Sequence, residues 1–263
     1  MTTTKQYDNL NRLLSISSGP TSAGVVPLSF NYAYNDANQR SRVTLNDGSF
    51  WVYEYDKLGQ ATSGKRYWSD GTPVAGQQFE YGFDEIGNRT STKAGGDANG
   101  SSGALRAAAY GANSLNQITN RTVPDKLDIL GIANAAASVT VNSSPADYRR
   151  GEYFQELVTV ANSANPAWQS LSVIASLSGT NTTNSGSAYV PKATETFGYD
   201  PDGNLTNDGR WSFTWDGENR LVTMDPSGTV TVPDRAKRKL EFVAIFSAMT
   251  GTGAISWSGS KRR

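Results

Sequence analysis

Aromatic and polar residues alternate in short runs along this chain. Phe30, Tyr32 and Tyr34 form one trio, Trp51, Tyr53 and Tyr55 a second, Phe79, Tyr81 and Phe83 a third, and Trp211, Phe213 and Trp215 a fourth; Phe197 and Tyr199 make a shorter version. A spacing of two sets each trio on one face of a β-strand and turns Glu54, Glu80, Ser212 and Thr214 to the other. Aromatics are also strong strand formers. Each stripe runs into one motif: an aromatic, Asp or Asn, two variable residues, Gly or Asn, then a polar or long side chain. It reads Tyr7-Asp8-Asn9-Leu10-Asn11-Arg12, Tyr34-Asn35-Asp36-Ala37-Asn38-Gln39, Tyr55-Asp56-Lys57-Leu58-Gly59-Gln60 and Phe83-Asp84-Glu85-Ile86-Gly87-Asn88. It returns as Tyr199-Asp200-Pro201-Asp202-Gly203-Asn204 and Trp215-Asp216-Gly217-Glu218-Asn219-Arg220.

The fourth residue after the aromatic is Gly or Asn in all six copies, the types that enter left-handed backbone space most easily. The motif therefore predicts a hairpin turn, with the acid accepting hydrogen bonds from the turn's own amides. Further turns at Asn46-Asp47-Gly48, Ser69-Asp70-Gly71, Asn207-Asp208-Gly209 and Asp225-Pro226-Ser227-Gly228 make each unit strand, turn, strand, turn. Such a repeat sets the architecture before local propensities do. The predicted class is all-β, an antiparallel hairpin sheet.

The motifs YDNLNRL, YDKLGQ, FDEIGNR, YDPDGNL and WDGENRL resemble the YD repeats of the RHS family, which includes bacterial polymorphic toxins, insecticidal toxin complex components and the teneurins. The resemblance implies a β-ribbon spiralling into a hollow shell, a non-catalytic role in enclosing or presenting an effector encoded elsewhere, and an extracellular or cell-surface location. Implied partners are other repeats of the same or a longer protein, an enclosed effector, or a surface glycan or protein. It covers about residues 1–122 and again 193–232, and the two repeat blocks are expected to span 1–122 and 193–243. The segment Tyr110-Gly111-Ala112-Asn113-Ser114-Leu115-Asn116-Gln117-Ile118 reads as a degenerate copy with Asn116 two places late.

Residues 123–192 carry no such motif. Alternating runs at Ser138–Asn142, Glu156–Val160 and Ser170–Ala175, separated by Asn- and Pro-containing turns, predict an inserted small β-sandwich resembling Ig-like modules. Tyr153, Phe154 and Trp168 are its expected core anchors. Residues 244–263 read as a disordered Gly/Ser-rich tail, and the chain as an internal piece of a longer, truncated or frame-shifted product.

Composition narrows the chemistry. With no His and no Cys, no Ser-His-Asp triad, Cys-His pair or thiolate metal site can be built. The 24 basic residues balance 24 acidic ones, so nothing favours nucleic acid, and no apolar stretch is long enough for a membrane-spanning helix. Three carboxylate pairs, Glu54/Asp56, Glu80/Asp84 and Asp216/Glu218, have the composition of a glycosidase site, but each lies in or beside a repeated turn. Asp200-Pro201-Asp202-Gly203-Asn204 resembles the start of a calcium loop whose closing acid is replaced by Trp211. No cofactor is expected. Trp51, Tyr53, Trp211 and Phe213 remain a candidate binding stripe. Three readings stay open: structural repeat, carbohydrate- or protein-binding module, and carboxylate hydrolase.

Overall fold

In the computed structural model, residues 1–20, 25, 27–226 and 245–247 are described. Strands β1 (Thr2–Tyr7) and β2 (Leu13–Gly19) flank the first motif turn, and β3 (Leu28–Tyr34) and β4 (Arg40–Leu45) the second. Strands β5 (Phe50–Tyr55) and β6 (Ala61–Tyr67) flank the third, β7 (Pro73–Phe83) and β8 (Arg89–Gly95) the fourth. Strands β9 (Leu105–Ala112) and β10 (Ile118–Thr122) flank a further turn centred on Asn113. The chain then runs through β11 (Lys126–Ile132), β12 (Ser138–Val141), β13 (Ser144–Pro145), β14 (Tyr148–Arg150), β15 (Tyr153–Thr159), β16 (Ala167–Leu177) and β17 (Thr180–Val190). It returns as β18 (Thr194–Thr196) and β19 (Gly198–Tyr199), followed by β20 (Leu205–Asn207), β21 (Trp211–Trp215) and β22 (Leu221–Pro226). A short β23 (Ile245–Ser247) runs parallel to β11. There is no α-helix among the described residues.

The described residues divide into two units, those of 1–125, 161–167 and 191–226 in one, and those of 126–160, 168–190 and 245–247 in the other. In the first unit, β1 to β10 pair in sequence order and β18 joins the sheet beside β10. Phe197 N–H donates to the Thr119 carbonyl at 2.9 Å, so the same extended segment carries on into β19. From there β19 to β22 again pair in order. The repeat sheet thus resumes on the far side of the insertion.

Its pairing follows one rule at every motif. The aromatic of each motif faces the residue six places on: Tyr7 opposite Leu13, Tyr34 opposite Arg40, Tyr55 opposite Ala61 and Phe83 opposite Arg89. Tyr199 opposite Leu205 and Trp215 opposite Leu221 keep the rule. A β-bulge precedes each of these pairs, as expected where a type I turn closes with a left-handed residue. Between motifs the rule is equally strict. The residue seven after the acid pairs with the residue four before the next acid: Ser15 with Asn31, Arg42 with Val52 and Ser63 with Glu80. Ser91 pairs likewise with Ala109, Asn120 with Thr196 and Asn207 with Ser212. All variation in motif spacing is therefore absorbed in the loops at the opposite ends of the strands, and the 70-residue-scale insertion between β10 and β18 is one such loop.

The second unit is built differently. Sheets ordered β14-β15-β11-β23 and β13-β12-β16-β17 contribute to one apolar core of Ile129, Val139, Val141, Phe154, Leu171 and Val173. Phe154 is fully buried, as the sequence predicts. Trp168 corrects the expectation: it is half-buried, edge-on to Tyr189 with ring centroids 5.7 Å apart, and lies outside that core. Apart from Ile245–Ser247, the expected tail at 244–263 lies outside the described residues, as do the part of the second repeat block after residue 226 and with it the Ser227-Gly228 half of the last turn.

Candidate functional site: a stack of capped turns

One side-chain arrangement is made over and over. In the first motif Asp8 Oδ1 accepts from the Leu10 and Arg12 amides, both at 2.9 Å, and its Oδ2 takes the Arg12 Nε–H at 2.6 Å. The Asp8 amide donates to the Arg12 carbonyl and the Asn11 amide to the Asp8 carbonyl. Asp56 repeats the pattern with Leu58 and Gln60, Asp84 with Ile86 and Asn88, Asp200 with Asp202 and Asn204, and Asp216 with Glu218 and Arg220. Asn35 does the same as an amide, accepting from the Gln39 N–H and donating to its Oε1. The left-handed residue has positive φ in every case: 60° at Asn11, Asn38 and Asn219, 83° at Gly59, 91° at Gly87 and 87° at Gly203.

The Asn113 turn corrects the sequence reading of that segment. Its turn is complete and in step, and the copy is degenerate only in lacking the aromatic. Asn113 Oδ1 accepts from the Leu115 and Gln117 amides, and Asn116 has φ 62°. Ala112 holds the aromatic's place, opposite Ile118. Counting from Tyr110 put Asn116 two places late; counting from Asn113 puts it in step.

These turns touch in succession. The last residue of each reaches the left-handed residue of the next. Arg12 Nη1 donates to Asn38 Oδ1 (2.8 Å), Asn88 Nδ2 to Asn116 Oδ1 (3.2 Å) and Asn204 Nδ2 to Asn219 Oδ1 (2.8 Å). Where the last residue is Gln, the receiver is Gly. A Cβ at Gly59 would stand 3.1 Å from Gln39 Nε2, one at Gly87 3.1 Å from Gln60 Nε2, and one at Gly203 3.4 Å from Gln117 Nε2. Gly at these positions thus answers two demands, positive φ and close approach. The Gln117–Gly203 contact spans the insertion.

The aromatics add a second link. Tyr34 donates its hydroxyl to the Leu13 carbonyl (2.9 Å), Tyr55 to Arg40 (2.8 Å) and Tyr199 to Ile118 (3.0 Å), and Trp215 Nε1 to Leu205 (2.8 Å). In each case the acceptor is the residue that faces the first position of the preceding motif, an aromatic except at Ala112. Phe83, at the same motif position, has no side-chain donor. Tyr7, on the first strand, is 52% exposed.

The electrostatics suit anchoring. Hydrogen bonds from the Arg12 amide and guanidinium hold Asp8 below the usual carboxylate range; the Asn88 and Asn204 side chains and amides do so for Asp84 and Asp200, and the Arg220 amide and side chain for Asp216. On the strands, Glu80 is bound by Lys65 (2.7 Å) and Lys93 (3.1 Å), and the Lys65 hydrogen bond in particular keeps it low. Ser63 Oγ donates to Glu54 at 2.9 Å. A glycosidase acid must instead stay protonated, which Glu80 and Asp84 are held from doing. Glu218 and Asp216 share the Arg220 guanidinium. The oxygens of Asp200 read as the start of a calcium loop are occupied by the Asp202 and Asn204 amides and by Asn204 Nδ2.

The stripe is divided. Trp51 stacks on Tyr53 and Phe79, with centroids 6.4 and 6.1 Å apart, on one half-buried face. Trp211 and Phe213 lie on β21, opposite Pro226 and Met224. Arginines cap this aromatic face, Arg40 over Tyr32 at 4.4 Å and Arg89 over Tyr81 at 5.5 Å.

Sequence reasoning missed Asn162. It is 1% exposed and donates through Nδ2 to the Pro191 carbonyl at 2.9 Å, with the Val123 and Pro124 carbonyls at 3.4 and 3.3 Å. Its carbonyl accepts from the Ala193 amide, and the Val123 amide bonds the Ala193 carbonyl. The residue clasps the point where the chain leaves and rejoins the sheet. The paired Val-Pro steps at 123–124 and 190–191 were the visible signal.

Among solved structures, the chain is similar to that of TcdB2-TccC3-Cdc42, with 14% identity and a TM-score of 0.40 over 83% of this chain and 11% of that one. The TcdB2-TccC3 structure gives 13%, 0.38, 83% and 11% for the same quantities, and TcdB2-TccC3-TEV gives 14%, 0.39, 89% and 11%. This chain spans about a tenth of the length of those it matches, 11%. No protein-family model matches the sequence, and no curated protein matches it.

Proposed function

We propose that this chain is a non-catalytic section of an RHS-type wall, a YD-repeat sheet that helps enclose or present an effector polypeptide encoded elsewhere, at the cell surface or outside the cell. The observation that carries the reading is the turn-to-turn linkage. The motif acids cap turns and the residues beside them join one turn to the next, across the insertion as well as within each block. Side chains so employed serve continuity of a sheet, which is what a wall needs. The insertion would then be carried by one of the loops that join the wall's strands. The test is protease protection. Co-expressed with the polypeptide encoded immediately downstream, the wall should delay that polypeptide's digestion until the wall itself is cut. Digestion at the same rate with and without the wall would contradict the proposal.

The half-buried Trp51, Tyr53 and Phe79 face favours a second reading, a glycan- or protein-binding module. Here Trp51→Ala would abolish binding on a glycan array while leaving the fold's circular dichroism unchanged.

A further inference from the structure

One turn outside the motif stack is built on the motif's plan and left open. Between β8 and β9, Asp97 Oδ1 accepts from the Asn99 amide at 3.0 Å and the Ser101 amide at 2.9 Å, as the motif acids accept from the second and fourth residues after them. Gly100 takes the left-handed place with φ 72°. The bond that closes such turns is stretched here. In all seven motif turns the left-handed residue donates its amide to the carbonyl of the capping residue, at 2.9 to 3.1 Å. The Gly100 amide stands 3.5 Å from the Asp97 carbonyl, beyond the range of an ordinary N–H···O bond. No bond from the Asp97 amide to the Ser101 carbonyl makes up for it among the described residues.

The residue before Gly100 gives that loose amide something to attack. At this place the motif turns carry Leu10, Ala37, Leu58, Ile86, Leu115, Asp202 and Glu218; here stands Asn99, in the chain's only Asn-Gly step. Asn99 and Gly100 are both exposed, and the Asn99 side chain makes no hydrogen bond among the described residues. Closing a ring between the Gly100 nitrogen and Asn99 Cγ requires the main chain of Asn99 to rotate about ψ, which a closed turn resists. Glycine adds no side chain to shield its nitrogen. Asp202-Gly203 is the internal contrast. Its acid could cyclise in the same way, but the Gly203 amide is bonded at 3.0 Å and Gln117 Nε2 lies 3.4 Å from the Gly203 Cβ position.

We propose that Asn99 is a self-modifying site and that its conversion releases the loop at 96–104. Hydroxide takes the Gly100 amide proton, the nitrogen bonds to Asn99 Cγ, and the side-chain nitrogen leaves as ammonia, which closes a succinimide. Water then opens the ring, at Cγ to give Asp or at the main-chain carbonyl to give isoaspartate. Either product sets a new carboxylate two residues from Asp97, whose own carboxyl the Ser101 amide holds below the usual range. Two like charges in one turn oppose each other, and isoaspartate also adds a carbon to the main chain. The loop is fastened to the start of β7. The Gly96 carbonyl accepts from the Gly76 amide at 2.8 Å, and a Cβ at Gly100 would stand 3.1 Å from Pro73 Cγ. Between those contacts lie Val74 and Ala75, 0% and 1% exposed, so release frees a strand end that is now buried.

The test ages the chain in mildly alkaline buffer, folded and, in parallel, unfolded in urea, and weighs its tryptic peptides. The peptide 94–106 should gain the mass difference between Asn and Asp and split into two forms of equal mass. In the folded chain this should run at no less than about a tenth of its rate in urea. Over the same time the peptide that carries Asn142 should keep its mass, and the one that carries Asp202 should stay a single species. Asn99→Gln should abolish the change, because the longer side chain has to close a larger ring. Before ageing, the Gly100 amide should exchange its hydrogen nearly as fast as in urea while the Gly203 amide is protected. After ageing, the Gly76 amide should lose protection in the native chain and keep it in the Asn99→Gln chain. A folded chain that retains Asn99 while the unfolded chain converts it would overturn the inference, as would a Gly100 amide as protected as that of Gly203. A converted chain whose Gly76 amide stays protected would overturn the release of the loop.

Discussion

The repeat sheet and the inserted sandwich solve the same folding problem with different materials. The sandwich relies on buried apolar side chains, with Phe154, Ile129 and Val141 at 0%, 2% and 1% exposure holding two sheets together. The repeat sheet leaves most of its side chains half-exposed and takes its order from hydrogen-bonded turns, each capped by its own acid and joined to the next. The difference shows in what each tolerates. A packed core is indifferent to which residue begins a strand but sensitive to volume. A stack of linked turns accepts loops of any length at its far edge but no slip in register.

The comparison can be broken most forcefully from the sandwich side. Phe154→Ala should cost about 3–5 kcal/mol, the range for emptying a buried aromatic site. Hydrogen exchange should then rise throughout 126–160 and 168–190 while the amides of Asn11, Asn38 and Gly59 keep their protection. Equal loosening of both units would mean that the sheet depends on the sandwich core.

On the sheet side, Gly59→Val should destabilise by about 2–3 kcal/mol through forced positive φ and the Gln39 contact. Gly71→Val is the control. Gly71 has φ 85° but nothing within 4 Å of its Cβ position, so it carries the strain without the contact. Chemical denaturation of the two variants should separate these parts, and identical midpoints would remove the turn-to-turn link from the account.

Asn162→Ala, at the clasp, should cost about 1–3 kcal/mol because it leaves the Pro191 carbonyl unpaired in a buried place. The loss should appear as faster exchange at Val123 and Ala193, with little change at Phe154.

The smallest effect is a contrast in sign with pH. Asp8, Asp84, Asp200 and Asp216 are held below their ordinary range, so what they add to stability is present above about pH 4 and lost as the pH falls below it. In the sandwich, burial and the neighbouring Asp147 push Glu156 up despite its bond from the Asp147 amide. Its contribution is present at low pH and lost as the pH rises through its folded value, above the ordinary one. Acidification from neutral pH should therefore first favour the sandwich and only later loosen the turns. Glu156→Gln should remove the first effect and leave the second.

The turns were legible in the sequence because an acid that caps its own turn is a local device, written within six residues. The aromatic stripes were legible for the same reason, as a period of two. The copy at Asn113 was counted out of step because Ala112 stands where the aromatic belongs, so Tyr110 drew the count off by two. The link between turns was present all along as Gln before Gly and Arg or Asn before Asn. It becomes visible only once the register sets Gln117 beside Gly203 across the insertion. Asn162 was hidden for a related reason: its partners at 123–124 and 191 are remote in sequence. Trp168 was over-read, since a large aromatic in an alternating run packs on Tyr189 as readily as in a core.

The central claim is that the repeat register runs through the insertion point as though nothing were there. Its most direct test replaces residues 123–193 with a three-residue loop like that at 208–210 and follows amide exchange at Phe197, which bonds the Thr119 carbonyl at 2.9 Å. The account predicts a Phe197 amide as protected as in the full chain, with Asn120 still facing Thr196. A Phe197 amide exchanging at the rate of an unfolded chain, with the Asp200 and Asp216 turns melted, would contradict it.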